Sequence, residues 1–340
     1  MYVCQNCFSD QELKSDIASN ATRTGVCDIC GTTEKLIDFS ELYDFFSALL
    51  SLFTGSSNGN KTIVDLVQGE WCIFKDKKVA DALLRIAISA CNCNYSINTI
   101  VDYTDDIKYR IAIWDRLKKS IRENSRFFTN IDEFAQHKYL TPGKSLSTGH
   151  KLYRSRILPI DKKKITRNHM GCPPREYATA GRANPIGIPY LYLSDSAKTT
   201  YFEVRAVYLD KLCVGLFEVQ RELKLVDFIY DVDLYLAYND ASTSLKEVVI
   251  KKKVIDAISN DLSKPLRRYD SELEYVPTQF ICEYCKQIVG ADGISFTSSL
   301  FKEGRNYVLF DDSAAKCMTT RIHEITHIDI DRKNTKAKRY

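Results

Sequence analysis

Two cysteine pairs at the start of the chain, Cys4-x2-Cys7 and Cys27-x2-Cys30, constrain its folding more than any other feature. Nineteen residues separate the pairs. Each pair can form a knuckle that offers two thiolates, and two knuckles complete a tetrahedral zinc shell. Gly31, directly after the second pair, suits the tight turn a knuckle needs. A shell saturated by Cys4, Cys7, Cys27 and Cys30 leaves no open position, so a structural Zn2+ is expected and not a catalytic one. Chance spacing and a redox pair are the competing readings.

The chain has 12 cysteines in 340 residues, enough for a disulfide framework. It begins MYVCQNCF, however, where a secretory signal would place a basic and then an apolar run. With four cysteines in metal-ligand spacing, a reducing cytoplasm is the expected location. The 44% hydrophobic and 27% charged residues describe a globular chain long enough for two or three cores. A net charge of +4 is too small to imply a nucleic-acid partner by itself. The most apolar stretch, Phe45 to Phe53, is about half a transmembrane span, so no membrane helix is expected.

Three segments follow. Residues 1–37 read as the Cys4 ribbon. Residues 38–145 read mainly as helix: Leu42, Phe45, Phe46, Leu49 and Phe53 recur at helical spacing, as do Val79, Leu83, Leu84, Ile86 and Ile88. Pro142-Gly143 and the Ser/Thr-rich stretch to Gly149 read as a boundary. Residues 146–340 read as a mixed α+β unit. Strands are expected at Lys151–Leu158, Tyr190–Leu193, Cys213–Val219 and Asn306–Phe310, with helices at Ala197–Val207, Lys246–Asn260 and Pro277–Val289.

The chemistry gathers in Gly181–Arg205, GRANPIGIPYLYLSDSAKTTYFEVR. An arginine in a Gly-rich turn precedes a tyrosine-bearing apolar strand and then a carboxylate at Glu203. Together with LYRSR around Arg154, GRAN with Arg182 and Asn184, GIPYLYLS with Tyr192, DGISFTSS with Ser298 and a closing NYVLF, these segments resemble the RES domain family in order and over about residues 150–330. The N-terminal half resembles the HEPN/RES-type region fused to some members. The resemblance implies an ADP-ribosyltransferase-like fold and NAD as substrate, consumed by hydrolysis, phosphorolysis or transfer of ADP-ribose. It implies catalytic roles for Arg182, Glu203 and Ser298 and dinucleotide binding by Arg154, Tyr192 and Asn184. Glu203 would stabilise an oxocarbenium-like ribose. The two arginines would present planar forks to the diphosphate, and Tyr192 would stack on nicotinamide or close a wall. Arg156, on the same strand face, rivals Arg154, and Ser299 stands beside Ser298. Without the resemblance each residue has a plain reading: a strand-end ion pair, an exposed helical glutamate, a core tyrosine.

The NAD reading carries a biological setting, a toxin or defence effector, with an inhibitor or antitoxin, an activating partner or self-association as expected partners. An ADP-ribosyltransferase acting on a macromolecule and a non-enzymatic nucleic-acid-binding module remain the alternatives.

Several motifs point elsewhere. His323-Glu-Ile-Thr-His327 spells the HExxH of zinc proteases, which needs a helix to bring i and i+4 to about 6 Å. Its surroundings alternate like a strand, which would hold the histidines about 13 Å apart. Cys282-x2-Cys285 lies in an expected helix without a second pair, and Cys91 and Cys93 are no better as ligands. A HEPN nuclease needs an arginine four to six residues before a histidine, and His137 has none. Lys162–Lys164, Lys251–Lys253 and the tail from Lys333 read as solvated surface.

Overall fold

Hydrogen bonding turns the two cysteine pairs into neighbours through a small antiparallel sheet. Its strands are β1 (Tyr2–Cys4), β2 (Arg23–Val26) and β3 (Thr33–Asp38), in the order β1-β3-β2. The computed structural model describes residues 1–264 and 272–329, so the basic tail from Lys333 lies outside the described residues. Two units emerge: Met1–Trp114 with Tyr230–Val254, and Asp115–Ile229 with Ile255–Tyr340.

In the first unit a helix, Gln11–Asn20, stands between the knuckles and buries Leu13 and Ile17, one turn apart. Its N-cap Asp10 accepts from Leu13 N at 3.0 Å. Asp10 also accepts from Leu234 N, while Asp233, the N-cap of helix Leu234–Asn239, accepts from Gln11 N and Glu12 N, each at 3.1 Å. Two helix starts therefore satisfy each other's free amides. Helix Tyr43–Leu50 buries Phe45, Phe46, Leu49 and Leu50. Phe53, expected on that helix, belongs instead to β4 (Phe53–Gly55), opposite Tyr103 of β5 (Val101–Tyr103) with ring centroids 4.8 Å apart. The expected helix around Val79–Ile88 forms as Lys77–Ala90, capped by Asp76. The segment 230–254 joins this unit through Tyr235 and Tyr238, whose rings lie 5.2 and 5.5 Å from Phe45.

The second unit is built on eight strands. They are β6 (Pro142–Leu146), β7 (Lys151–Ile157), β8 (Leu191–Ser194), β9 (Lys211–Val219), β10 (Leu223–Asp227), β11 (Gly293–Thr297), β12 (Arg305–Leu309) and β13 (Ala315–Glu324), in the order β13-β9-β7-β8-β12-β11-β10-β6. Neighbours are antiparallel except β10 and β11. That parallel pair requires a long crossover, and helices Leu245–Ser263 and Val276–Gln287 lie between the two strands in sequence. The Pro-Gly stretch read as a boundary supplies β6 at the sheet edge, a position where a missing amide is tolerated. Alternate residues Leu152, Leu191, Leu193, Phe217, Val219, Leu223, Leu225 and Leu309 bury one core.

Between β7 and β8 the pairing nearly fails, because they share a single paired position, Tyr153 opposite Ser194. The sheet is thereby split into a three-strand and a five-strand part. The helix expected to run to Val207 ends at Glu203, and Arg205 takes a left-handed φ of 52°. The HExxH motif is not helical: His323 lies in β13 opposite Leu212 and meets the Tyr201 hydroxyl, while His327 follows the strand and contacts Asp329. Cys282 and Cys285 are fully buried helix-packing residues.

Candidate active site

A cavity of about 460 Å³ opens where the sheet splits. Because β7 and β8 part there, side chains from both faces line it: Tyr153, Arg154 and Ser155 from one strand, Tyr192, Leu193 and Ser194 from the other. Arg182, Asn184 and Glu203 line the same cavity, together with Arg205, Tyr275 and Ser299. Five of the six catalytic and binding residues expected from the sequence therefore share one wall system. Ser298 does not line it.

Glu203 closes the helix Ala197–Glu203, which starts on the Ser196 cap (Thr199 N to Ser196 Oγ, 3.1 Å). Its Oε1 accepts from Ser298 Oγ at 2.6 Å and from Asn306 Nδ2 at 2.7 Å. Asn306 is itself fixed, its Oδ1 accepting from Ser194 Oγ at 2.8 Å across the register of β8 and β12. Ser298 is buried and accepts from the amides of Leu300 and Phe301 at 3.3 and 3.1 Å. Both donors engage one oxygen, so the carboxylate is oriented, while among the described residues Oε2 carries no such bond. Charge-assisted bonds of this kind are the stronger class. The geometry gives Ser298 a hold on Glu203 and leaves its neighbour Ser299 to face the cavity.

Arg182 sits in a turn that the rest of the unit grips tightly. Gly181 N donates to Asn184 O at 2.9 Å. Gln279 Nε2 bridges Gly181 O and Asn184 O at 2.8 and 3.0 Å, and Thr278 Oγ1 donates to Arg182 O at 2.7 Å. The guanidinium lies over the Tyr275 ring, 5.2 Å from its centroid, and donates through Nη1 to Asp261 O at 2.9 Å. Tyr192 supports the same turn: its hydroxyl donates to Asn184 Oδ1 at 2.7 Å and accepts from Ala183 N at 3.1 Å. A Cβ at Gly181 would stand 2.6 Å from Asn184 Oδ1 and 2.7 Å from the Tyr192 hydroxyl, so only glycine fits. Burial holds the Tyr192 phenol well above its ordinary range, keeping it a proton donor. Asn184 Nδ2 is occupied by the carbonyls of Thr179 and Pro185, at 3.0 and 3.1 Å.

Tyr192→Phe would therefore leave Asn184 Oδ1 and Ala183 N without partners. The expected cost is about 1–3 kcal/mol, read as a lowered unfolding midpoint in denaturant. A midpoint equal to wild type would mean the hydroxyl does not brace the turn.

Arg154 is half-buried, and burial, followed by the nearby Arg156 charge, lowers its guanidinium to about 10. Among the described residues its Nη1 is buried without a hydrogen-bond partner. Arg156 lines a neighbouring cavity and donates to Gly171 O at 2.7 Å. Sequence reading missed Asn306, Thr278 and Gln279, which act by holding Glu203 and the arginine turn. It also missed Arg205, for which the sequence carries no signal.

The four N-terminal cysteines come together as expected. Their sulfurs all lie within 4.8 Å of one another, with Cys4–Cys30 at 3.4 Å and Cys7–Cys27 at 3.5 Å. Zinc–sulfur bonds of about 2.3 Å in a tetrahedron give sulfur separations of about 3.8 Å, so the donor set fits Zn2+. Gly31 takes the left-handed turn, φ 71°. Among the described residues this is the only cluster with metal-ligand geometry.

No curated protein matches the chain. The crystal structure of the M.tuberculosis MbcT-MbcA toxin-antitoxin complex is similar at 12% identity and a TM-score of 0.32, covering 58% of this chain and 94% of that one. The family model described as RES domain matches residues 151–332, more than half of the sequence. With that match over seven of the eight strands, β7 to β13, and over every residue that lines the cavity, the chain belongs to the RES domain family.

Proposed function

We propose that the protein consumes NAD by splitting the bond between nicotinamide and ribose. The observation that carries this reading is the oriented carboxylate of Glu203, held on one oxygen by Ser298 and Asn306, in a cavity also lined by Arg154 and Arg182. The arginines bind the diphosphate, for which a planar guanidinium is suited. As the C1′–N bond breaks, its electron pair leaves with neutral nicotinamide and positive charge develops on the ribose. Glu203 opposes that charge and orients a ribose hydroxyl. Its pre-set position matters because only interactions strengthened in the transition state raise the rate. Water then adds to C1′ and releases a proton, or inorganic phosphate adds in its place. The Cys4 centre binds zinc and has no part in these steps. In the cell, such an activity drains NAD and acts as a toxin or defence effector, restrained by an inhibitor.

Incubating the purified protein with NAD, with and without inorganic phosphate, and weighing the products tests this. Free nicotinamide with ADP-ribose or its 1″-phosphate is expected. Label retained on a macromolecule would replace cleavage by transfer, and intact NAD would remove the reading.

A further inference from the structure

We infer that the preferred dinucleotide carries an additional phosphate monoester on its adenosine half, as NADP does, and that a second cavity receives this group. The inference rests on the dinucleotide reading above and specifies its substrate. The second cavity, about 770 Å³, shares Arg154, Ser155 and Val204 with the first. A ligand whose diphosphate lies against Arg154 thus has one end beside Glu203 and a route for the other into this space.

The lining of the second cavity is strongly one-signed. Arg154, Arg156, Lys162 and Lys164 contribute to it with Thr166 and His169, and among the described residues no carboxylate does. Arg154 hydrogen-bonds the Cys172 side chain and Arg156 bonds Gly171 O, but among the described residues Arg154 Nη1 and Arg156 Nε are buried without a partner. Asp312, the carboxylate that attracts Arg154, spends its Oδ1 on Cys172 N at 3.1 Å. Buried donors of this kind are costly unless an acceptor meets them. NAD does not supply enough negative charge for both cavities: its diphosphate is matched by Arg154 and Arg182, and its adenosine is neutral. Arg156, held by one bond to Gly171 O, and the exposed Lys162 and Lys164 then meet no charge of the ligand. A phosphate monoester brings between one and a half and two negative charges, roughly, at neutral pH and three acceptor oxygens. The same chemistry could come from free inorganic phosphate, so the test separates the two.

The ratio of kcat/KM for NADP to that for NAD is measured in phosphate-free buffer, for wild type and for the Lys162→Ala/Lys164→Ala double variant. We expect a ratio of about 10 or more in wild type, falling about tenfold in the double variant. Added inorganic phosphate should inhibit NADP cleavage competitively. Equal or reversed kcat/KM values would overturn the inference while leaving NAD cleavage standing. Inorganic phosphate that accelerates NAD cleavage, with this effect lost in the double variant, would also overturn it, because the cavity would then serve free phosphate. Absence of cleavage of either dinucleotide would remove both this inference and the function it rests on. Calorimetry with 2′-phospho-ADP-ribose and ADP-ribose on the Glu203→Gln variant reads the same preference without turnover. Tighter binding of the phosphorylated form by about tenfold supports the inference, and equal binding sinks it.

Discussion

Glu203→Gln is expected to slow nicotinamide release about 10³-fold, on the scale of losing one dedicated charge-stabilising group. The substitution isolates charge from structure. A glutamine carbonyl can still accept from Ser298 Oγ and Asn306 Nδ2, which now converge on Oε1 at 2.6 and 2.7 Å. The fold and the side-chain position should therefore survive, and unfolding in denaturant should match wild type within about 0.5 kcal/mol. What disappears is the negative charge that the proposed mechanism sets against the ribose. The loss should fall on kcat, with KM for NAD little changed, because the interaction strengthens only as positive charge develops. A variant retaining more than about a tenth of wild-type activity would show that Glu203 does not oppose the ribosyl cation.

Metal removal should have the largest effect on stability. Burial pushes the Cys4 thiol up to about 11 and that of Cys7 higher still. For Cys30, burial acts in the same direction but is outweighed by hydrogen bonds with Thr32, which bring it down to about 6. Without a metal, Cys4 and Cys7 remain protonated at neutral pH. Zinc must displace those protons, so its affinity should rise with pH and fall steeply on acidification. Structural zinc contributes on the order of 10–16 kcal/mol in small zinc-binding peptides, comparable to the stability of a whole domain. Elemental analysis should find one zinc per chain, and stripping it should expose residues 1–38 to proteolysis. A chain that purifies without zinc and resists proteolysis there after chelation would contradict the assignment.

The legible parts of this fold are those with local causes. Strands expected at Lys151–Leu158, Tyr190–Leu193, Cys213–Val219 and Asn306–Phe310 form within a residue or two of those bounds, and the helices expected at Lys246–Asn260 and Pro277–Val289 form as Leu245–Ser263 and Val276–Gln287. The strand character of the HExxH segment followed from its β-branched alternation, and the cysteine cluster from spacing alone. What sequence hid depends on distant partners. Pro142-Gly143 punctuates like a linker, yet its chain pairs with β10 as an edge strand. Phe53 continues a helical spacing but is captured by Tyr103, fifty residues away. Nothing local assigns Tyr230–Val254 to the first unit, since that choice is made by contacts such as Tyr235 with Phe45.

The site shows the same division. Arg154, Arg182, Tyr192, Asn184 and Glu203 were nameable by motif order, and the structure gathers them around one cavity. How they relate was not readable. Tyr192 and Asn184 bond to each other beneath the arginine turn, and Ser298 bonds to Glu203 without lining the cavity. Asn306 was hidden inside an apolar strand and becomes visible only when β12 pairs with β8, setting it opposite Ser194. It directly follows Arg305 at the start of that strand, so no local signal marks it.

A crystal structure of the Glu203→Gln variant soaked with NAD tests the central claim most directly. The account predicts intact dinucleotide in the cleft between β7 and β8, its diphosphate on Arg154 and Arg182 and its nicotinamide ribose against the substituted side chain. Dinucleotide bound at another surface, or a diphosphate held by neither arginine, would contradict it.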